Sequence, residues 1–510
     1  MKDFSRDTLT IGIAGTGAMG RGIVQVMAQA GCNVLLYDAM EGAAEKARQY
    51  VAGMLGKLAE KGKLTADAAT AMTGRMQVVG EIAAFKPCDL VIEVIIENLA
   101  IKKEFFAKLE AAVSDDCVLV TNTSSLSVTA IAAACKKPER VAGYHFFNPV
   151  PLMRVVEVIG GARTAPGICD ALTALTKRYG HTAVTAADTP GFIVNHAGRG
   201  YGTEALKILQ EGVTEFHVLD RITTDAAGFR LGPCELMDLT GIDVSHPVME
   251  SIYHQYYEEP RYRPSVIGQQ RKDAGLLGRK TGQGFYRHPE GKQEVFPDAP
   301  IPADRPDSVW LSRAAAAANP AGHAAAMELI GKLGVRLEGG ATPSSTALIV
   351  VTPLGTDATN SALDEGLDPA RTVALDTLLP LIKRRTVMVT PVTRPEVRAA
   401  AHGLFGADGV QVAMIRDSAG FVAQRILAAV VNVGCDIVQQ RVCSPADLDL
   451  AVTLGLSYPH GPLAFGDVLG PKRILSILQN IQATTGDPRY RPSPWLTRRA
   501  RLGVSLLTPE

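Results

Sequence analysis

A histidine close to a carboxylate is well suited to moving a proton near neutral pH, and the chain offers such a pair between Val141 and Glu157. His145 stands in Tyr144-His145-Phe146-Phe147-Asn148-Pro149, and Glu157 follows 12 positions later inside the apolar run Met153–Ile159. A neutral imidazole can accept a hydroxyl proton, while a carboxylate fixes its tautomer and stabilises the imidazolium that results. The local pattern leaves the ordinary alternative open, because a histidine among phenylalanines also serves in packing. A second chemical motif lies at the N-terminal end, where Gly15-Thr16-Gly17-Ala18-Met19-Gly20 follows the apolar run Leu9–Ala14.

Such a loop needs a strand before it and a helix after it. Leu9–Ala14 supplies a buried parallel strand, and Ile23, Val24, Met27 and Ala28 put an apolar stripe on the following helix. Gly15 permits the tight turn, Gly17 lets a pyrophosphate approach the backbone, and Gly20 allows close helix packing. The unpaired N–H groups of the helix N-terminus then face the phosphates. A second strand, Asn33–Tyr37, ends in Asp38, whose carboxylate accepts from a ribose 2′-hydroxyl and repels a 2′-phosphate. Ala39, Met40 and Glu41 add no cation, so NAD is favoured over NADP.

Two further apolar runs, around Asp89–Ile96 and Val118–Thr121, read as strands of the same sheet. In an open α/β sheet ligands sit beyond the C-terminal strand ends. This reading places Glu97, Lys102, Asn122 and Ser124 there. Lys57, Lys61 and Lys63 close a helical stretch; a solvated surface and an anion-binding role both fit them.

Composition narrows the classes. Lysine plus arginine and aspartate plus glutamate number 52 each, so no net field draws a nucleic acid. No run approaches the roughly 20 apolar residues of a membrane span. The eight cysteines form no CxxC pair, which fits buried thiols in a reducing compartment, and no metal site is expected. The first residues, MKDFSRDTLTIGIAG, do not read as a signal peptide. A cytoplasmic protein is expected.

The glycine loop, Asn122–Ser127, Glu139–Glu157 and Asp188–Asn195 together resemble the 3-hydroxyacyl-CoA dehydrogenase family, and within it the long bacterial members. The likeness runs from Gly15 to Tyr286. It implies that His145 is the catalytic histidine, Glu157 its acidic partner, and Ser124 and Asn195 polar groups that hold the substrate oxygen. It also implies that Asp38, Glu97, Lys102 and Asn148 lie near NAD. Asn122, at its strand end, joins that group. The implied reaction is reversible, NAD-dependent oxidation of a 3-hydroxyacyl-CoA thioester. For such a substrate the basic patch offers Lys57 and Lys63 to the CoA phosphates, an expectation from the patch and not from the resemblance. The acyl chain stays open between 3-hydroxyadipyl, as in aromatic-acid catabolism, and 3-hydroxybutyryl. A nonenzymatic NAD-binding scaffold and a small hydroxy-acid dehydrogenase are the competing classes. His196 stands where relatives carry arginine and receives no role.

Five segments are expected. Residues 1–187 form a Rossmann-type α/β domain and 188–287 an all-helical substrate and dimerisation-type domain. A proline-rich linker occupies 288–324, a degenerate α/β domain 325–412, and a second helical domain 413–510. The last follows from a repeat: Asp188-Thr-Pro-Gly-Phe-Ile-Val-Asn195 reappears 229 positions on as Asp417-Ser-Ala-Gly-Phe-Val-Ala-Gln424. Gly232-Pro233 recurs as Gly461-Pro462, and Arg261-Tyr-Arg-Pro-Ser265 as Arg489-Tyr-Arg-Pro-Ser493. The second copy lacks the glycine loop and has Gln424 in place of Asn195. The two helical copies are expected to meet as an intramolecular pseudo-dimer, with assembly of whole chains through another face left open.

Overall fold

A computed structural model describes Phe4, Arg6 and residues 8–510. The reading of the first residues as no signal peptide falls partly on positions outside this set, residues 1–3, 5 and 7. The chain divides into two compact units, one of residues 1–196 with 440–456, the other of 197–439 with 457–510.

The first unit is built on eight strands: β1 (Thr10–Ala14), β2 (Asn33–Tyr37), β3 (Met76–Val78), β4 (Leu90–Glu93), β5 (Val118–Thr121), β6 (Val141–Phe146), β7 (Val155–Gly160) and β8 (Thr182–Ala187). Their order across the sheet is β3-β2-β1-β4-β5-β6-β7-β8, parallel except where β7 meets β6. The apolar strands are buried on both faces, as a doubly wound sheet covered by helices requires. Helix α1 (Ala18–Gln29) follows the glycine loop, α2 (Ala43–Glu60) and α3 (Ala66–Gly74) lead to β3, α4 (Leu99–Ala112) follows β4 and α5 (Val128–Ala132) follows β5. The reversal between β6 and β7 brings His145 directly opposite Glu157 in the ladder.

The second unit holds a six-stranded sheet: β9 (Ser308–Leu311), β10 (Arg336–Leu337), β11 (Leu348–Val351), β12 (Thr372–Leu375), β13 (Arg384–Val389) and β14 (Gln411–Ile415), in the order β10-β9-β11-β12-β13-β14. The stretch 288–324, expected as linker, therefore contains strand β9 and the start of helix Pro320–Lys332. Its four strand residues are fully enclosed, and their signal is masked by the prolines on their N-terminal side. The α/β region thus begins near residue 308, ahead of the expected 325.

Strand β13 spans the residues 229 positions beyond those of β7, and its ladder with β12 is again antiparallel. The duplication therefore extends into the sheet. Asp188 caps α5 by accepting from Val128 N–H and Thr129 N–H at 2.9 and 2.7 Å. Asp417, its repeat, does the same for Ala358 N–H and Thr359 N–H at 2.8 and 3.2 Å.

Helix Arg199–Gln210 packs on helix Ala423–Gln439, which is buried on nearly every face. Glu204 and Arg425 meet there at 2.7 Å, almost wholly enclosed. Among the described residues no helix is long and apolar enough to cross a membrane, and no disulfide links the cysteines.

Candidate active site

The glycine loop is shaped by contact as much as by conformation. Gly15 has φ +97°, and a Cβ there would lie 2.4 Å from the Val94 carbonyl oxygen. A Cβ on Gly20 would lie 1.9 Å from the carbonyl oxygen of Gly15, so Gly20 lets α1 close onto the turn itself. Around Gly17, at the N-terminus of α1, nothing comes within 4 Å of the same test atom. That open side, next to the first N–H groups of α1, fits a pyrophosphate.

Asp38 follows β2 and ties the two strand ends together. Its Oδ2 accepts from the Thr16 N–H and hydroxyl, both at 2.7 Å, and its Oδ1 from Met40 N–H at 3.0 Å. Burial pushes the carboxyl up, but these hydrogen bonds outweigh it and hold Asp38 below its ordinary value. An ionised carboxylate offers about four lone-pair sites, so capacity remains for ribose hydroxyls.

His145 is buried, and its Nδ1 lies 2.6 Å from Glu157 Oε2. The other oxygen of Glu157 accepts from the N–H groups of Ile193 and Val194 at 2.9 and 2.8 Å. Both carboxylate oxygens are thus engaged, and the ring's Nε2 is left as the nitrogen able to exchange a proton. Phe147 and Phe192 flank the imidazole, with ring centroids at 4.5 and 6.0 Å. Their apolar rings fix its plane.

Asn122 sits at the end of β5, and its side-chain oxygen accepts from Phe146 N–H at 2.8 Å, clamping the strand that carries His145. Asn195 reaches the Ser124 carbonyl oxygen at 3.4 Å, which joins the loop after β5 to the turn that holds Glu157. Glu97 accepts from the Thr123 hydroxyl at 2.5 Å and from Ser124 N–H at 3.1 Å. Burial pushes its carboxyl up, but the Lys102 charge and the hydroxyl and amide donors prevail and hold it low.

The ammonium of Lys102 is enclosed. It lies 2.5 Å from Glu93 and 3.3 Å from Glu97, with the side chain only 1% exposed. Lys102 therefore organises the strand ends from within. Glu93, which also accepts from the Thr121 hydroxyl at 2.7 Å, escapes sequence reading because it looks like an interruption of an apolar strand. Asn148 is exposed on the loop after β6. Lys57 and Lys63 are exposed at the α2–α3 turn, outside the hydrogen-bonded group around His145.

The glycine loop, the acidic end of β2 and the enclosed imidazole–carboxylate pair are the parts of a nicotinamide-dependent alcohol dehydrogenase. Residues 10–189 match the 3-hydroxyacyl-CoA dehydrogenase NAD binding domain, and residues 191–288 and 420–505 match the 3-hydroxyacyl-CoA dehydrogenase C-terminal domain. The chain belongs to the 3-hydroxyacyl-CoA dehydrogenase family: it is an NAD-dependent oxidoreductase acting on a 3-hydroxyacyl-CoA. It is 36% identical over 500 residues to a 3-hydroxyadipyl-CoA dehydrogenase of Escherichia coli K12, covering 97% of this chain and 98% of that one. A probable 3-hydroxybutyryl-CoA dehydrogenase of Deinococcus radiodurans is 39% identical over 280 residues, covering 55% of this chain and 100% of the relative. A crystal structure of 3-hydroxybutyryl-CoA dehydrogenase from Escherichia coli K12 superposes with a TM-score of 0.83 at 34% identity, covering 97% of this chain and 98% of that one. The scaffold and small hydroxy-acid readings fall with this membership.

Proposed function

We propose that the chain oxidises the C3 hydroxyl of a 3-hydroxyacyl-CoA at one site in residues 1–196, with His145 as proton acceptor and Glu157 as its partner. The 2.6 Å contact between these side chains, with Glu157 anchored by two backbone amides, carries the reading. His145 Nε2 takes the hydroxyl proton, and Glu157 holds the tautomer and balances the charge that develops. Ser124 and Asn195 orient the substrate oxygen. Gly15, Gly17, Gly20 and Asp38 hold the cofactor, with Glu97, Asn122 and Asn148 beside it and Lys102 fixing that end from inside. NAD, when bound, supplies the hydride-accepting carbon, and the protein contributes alignment and charge placement.

The substrate is a 3-hydroxyadipyl-CoA or a short homologue such as 3-hydroxybutyryl-CoA, as the names of the full-length and half-length relatives suggest. Lys57 and Lys63 are assigned to CoA phosphates. Residues 188–287 and 413–510 act as an intramolecular pseudo-dimer. Reciprocal contacts support this: Arg261 donates to the Arg491 carbonyl at 2.9 Å and Arg489 to the Arg263 carbonyl at 2.7 Å, as a twofold interface would have it. A cytoplasmic site of action is part of this reading, in line with eight cysteines that form no CxxC pair in the sequence.

Replacing His145 by Gln is expected to lower kcat by about 10²-fold or more while leaving NAD affinity near wild type. Steady-state rates with 3-hydroxybutyryl-CoA and 3-hydroxyadipyl-CoA test both the role and the acyl preference. Turnover retained by the variant on both thioesters would remove His145 from the reaction.

A further inference from the structure

Residues 440–456 belong by sequence to the second helical copy, yet they are packed into the first unit with the catalytic sheet. The Ala187 N–H donates to the Val442 carbonyl at 2.8 Å, and helix Pro445–Leu456 packs on β7 and β8. The same arrangement recurs within the second unit: the Arg416 N–H donates to the Val213 carbonyl at 3.0 Å, and the π-helical turn Ile222–Ala226 packs on β13. Both members of each pair are displaced by 229 positions, so the placement of 440–456 follows from the duplication.

The contact that matters is at Gly455. A Cβ there would lie 3.1 Å from both methyl carbons of Val194 and 3.7 Å from a methyl of Val155 on β7. Packed interiors do not yield freely to such a group, so it must displace a neighbour. Val194 contributes one of the two N–H groups that hold Glu157 Oε1. It opens helix Val194–Ala197 directly after a tight turn in which Gly191 and Phe192 both have positive φ, 77° and 49°, so its backbone has little freedom to absorb a push. In the repeat, Ala226 stands for Gly455 and Ala423 for Val194. The bulk at this contact is distributed differently on the side where Thr386 replaces Glu157. Burial pushes the Cys443 thiol up, with the charges of Asp447 and Glu157 adding to it.

We infer that helix Pro445–Leu456, through Gly455, is a positioning element for the His145–Glu157 pair: it seats the 189–194 turn so that the Ile193 and Val194 amides keep Glu157 on the imidazole. The inference rests on the reading of His145 as proton acceptor. It gives the second copy a duty in the first site that the loss of its own reacting groups left intact.

The test uses the full chain carrying Gly455→Val. Its kcat is expected to fall about 10- to 100-fold, as misplacement of a catalytic group by a distant change does. KM for the thioester and Kd for NAD stay near wild type, and the acidic midpoint of the kcat/KM profile against pH moves. Adding Val194→Ala makes room and is expected to return both kcat and the midpoint toward wild type. A folded Gly455→Val protein with wild-type kcat and midpoint overturns the inference, and so does a loss that leaves the midpoint in place and is not relieved by Val194→Ala. Where Gly455→Val fails to fold, Gly455→Ala is read the same way, with a smaller loss. His145→Gln measured alongside separates the two levels. If it keeps turnover the proton-acceptor reading falls; if it is inactive while the Gly455 variants match wild type, only the positioning role falls.

Discussion

Asp38 serves structure through its oxygens and, in the proposed function, cofactor selectivity as well. Its oxygens hold the glycine loop through Thr16 and the start of the next segment through Met40. Because the folded carboxyl is held below its ordinary value, its contribution to stability is complete above the unfolded value of about 4. That contribution is lost as pH falls through the lower folded value. The melting-temperature gap between wild type and Asp38→Asn is therefore expected to be constant from pH 8 to about pH 5 and to close on further acidification. At pH 7 the variant should bind NAD about 10-fold or more weakly, the scale of a hydrogen bond to a charged group, and discriminate less against NADP. Equal NAD affinity in the two proteins would restrict Asp38 to holding the loop. Motif spacing made this residue readable because its contacts follow from a strand, a turn and a helix adjacent in sequence. Glu93 was unreadable for the opposite reason. Its meaning depends on Lys102, nine positions on, whose ammonium the fold encloses against it.

At the level of elements, the repeat was legible where the backbone demanded it. Gly191-Phe192 and Gly420-Phe421 share the same pair of positive φ angles, 77° and 49° against 81° and 52°, and only a turn of that shape keeps the motif recognisable after its chemistry has gone. Strand β9 was missed because four buried residues carry no periodicity and stand beside a run of prolines. Partnerships across the chain were hidden altogether. Arg425 binds Glu204, 221 positions away, as well as Glu211 and the Tyr490 ring. Removing one member of a buried pair strands the other charge, so Arg425→Ala is expected to cost roughly 3–5 kcal/mol in urea unfolding. A double replacement, Arg425→Met with Glu204→Leu, should recover much of that loss, since neither charge is then left buried. A single variant with wild-type stability would show that solvent reaches Glu204.

For the whole molecule, the decisive question is why the chain continues past the length at which the Deinococcus radiodurans relative is already complete. Helix Arg199–Gln210 approaches Ala423–Gln439 so closely that a Cβ on Gly200 would lie 2.8 Å from the Val430 Cα. A contact that tight reflects a surface shaped for a helical partner, and carrying the partner in the same chain raises its effective concentration. Ending the chain after Tyr286 removes that partner, and it also strips helix Pro445–Leu456 from β7 and β8. The truncated protein is expected to aggregate or to dimerise through its uncovered face, to melt well below the full chain, and to turn over slowly even where it stays folded. Sedimentation velocity gives the association state, thermal unfolding the stability, and initial rates per folded site the catalytic part. A fragment that remained monomeric, soluble and as heat-resistant as the full chain would mean that the second copy supports nothing in the first. A fragment that dimerised and regained full turnover would mean that a second copy of residues 188–286 can do what 413–510 does, since fusion would then have changed the connectivity of the support and left its physics unchanged.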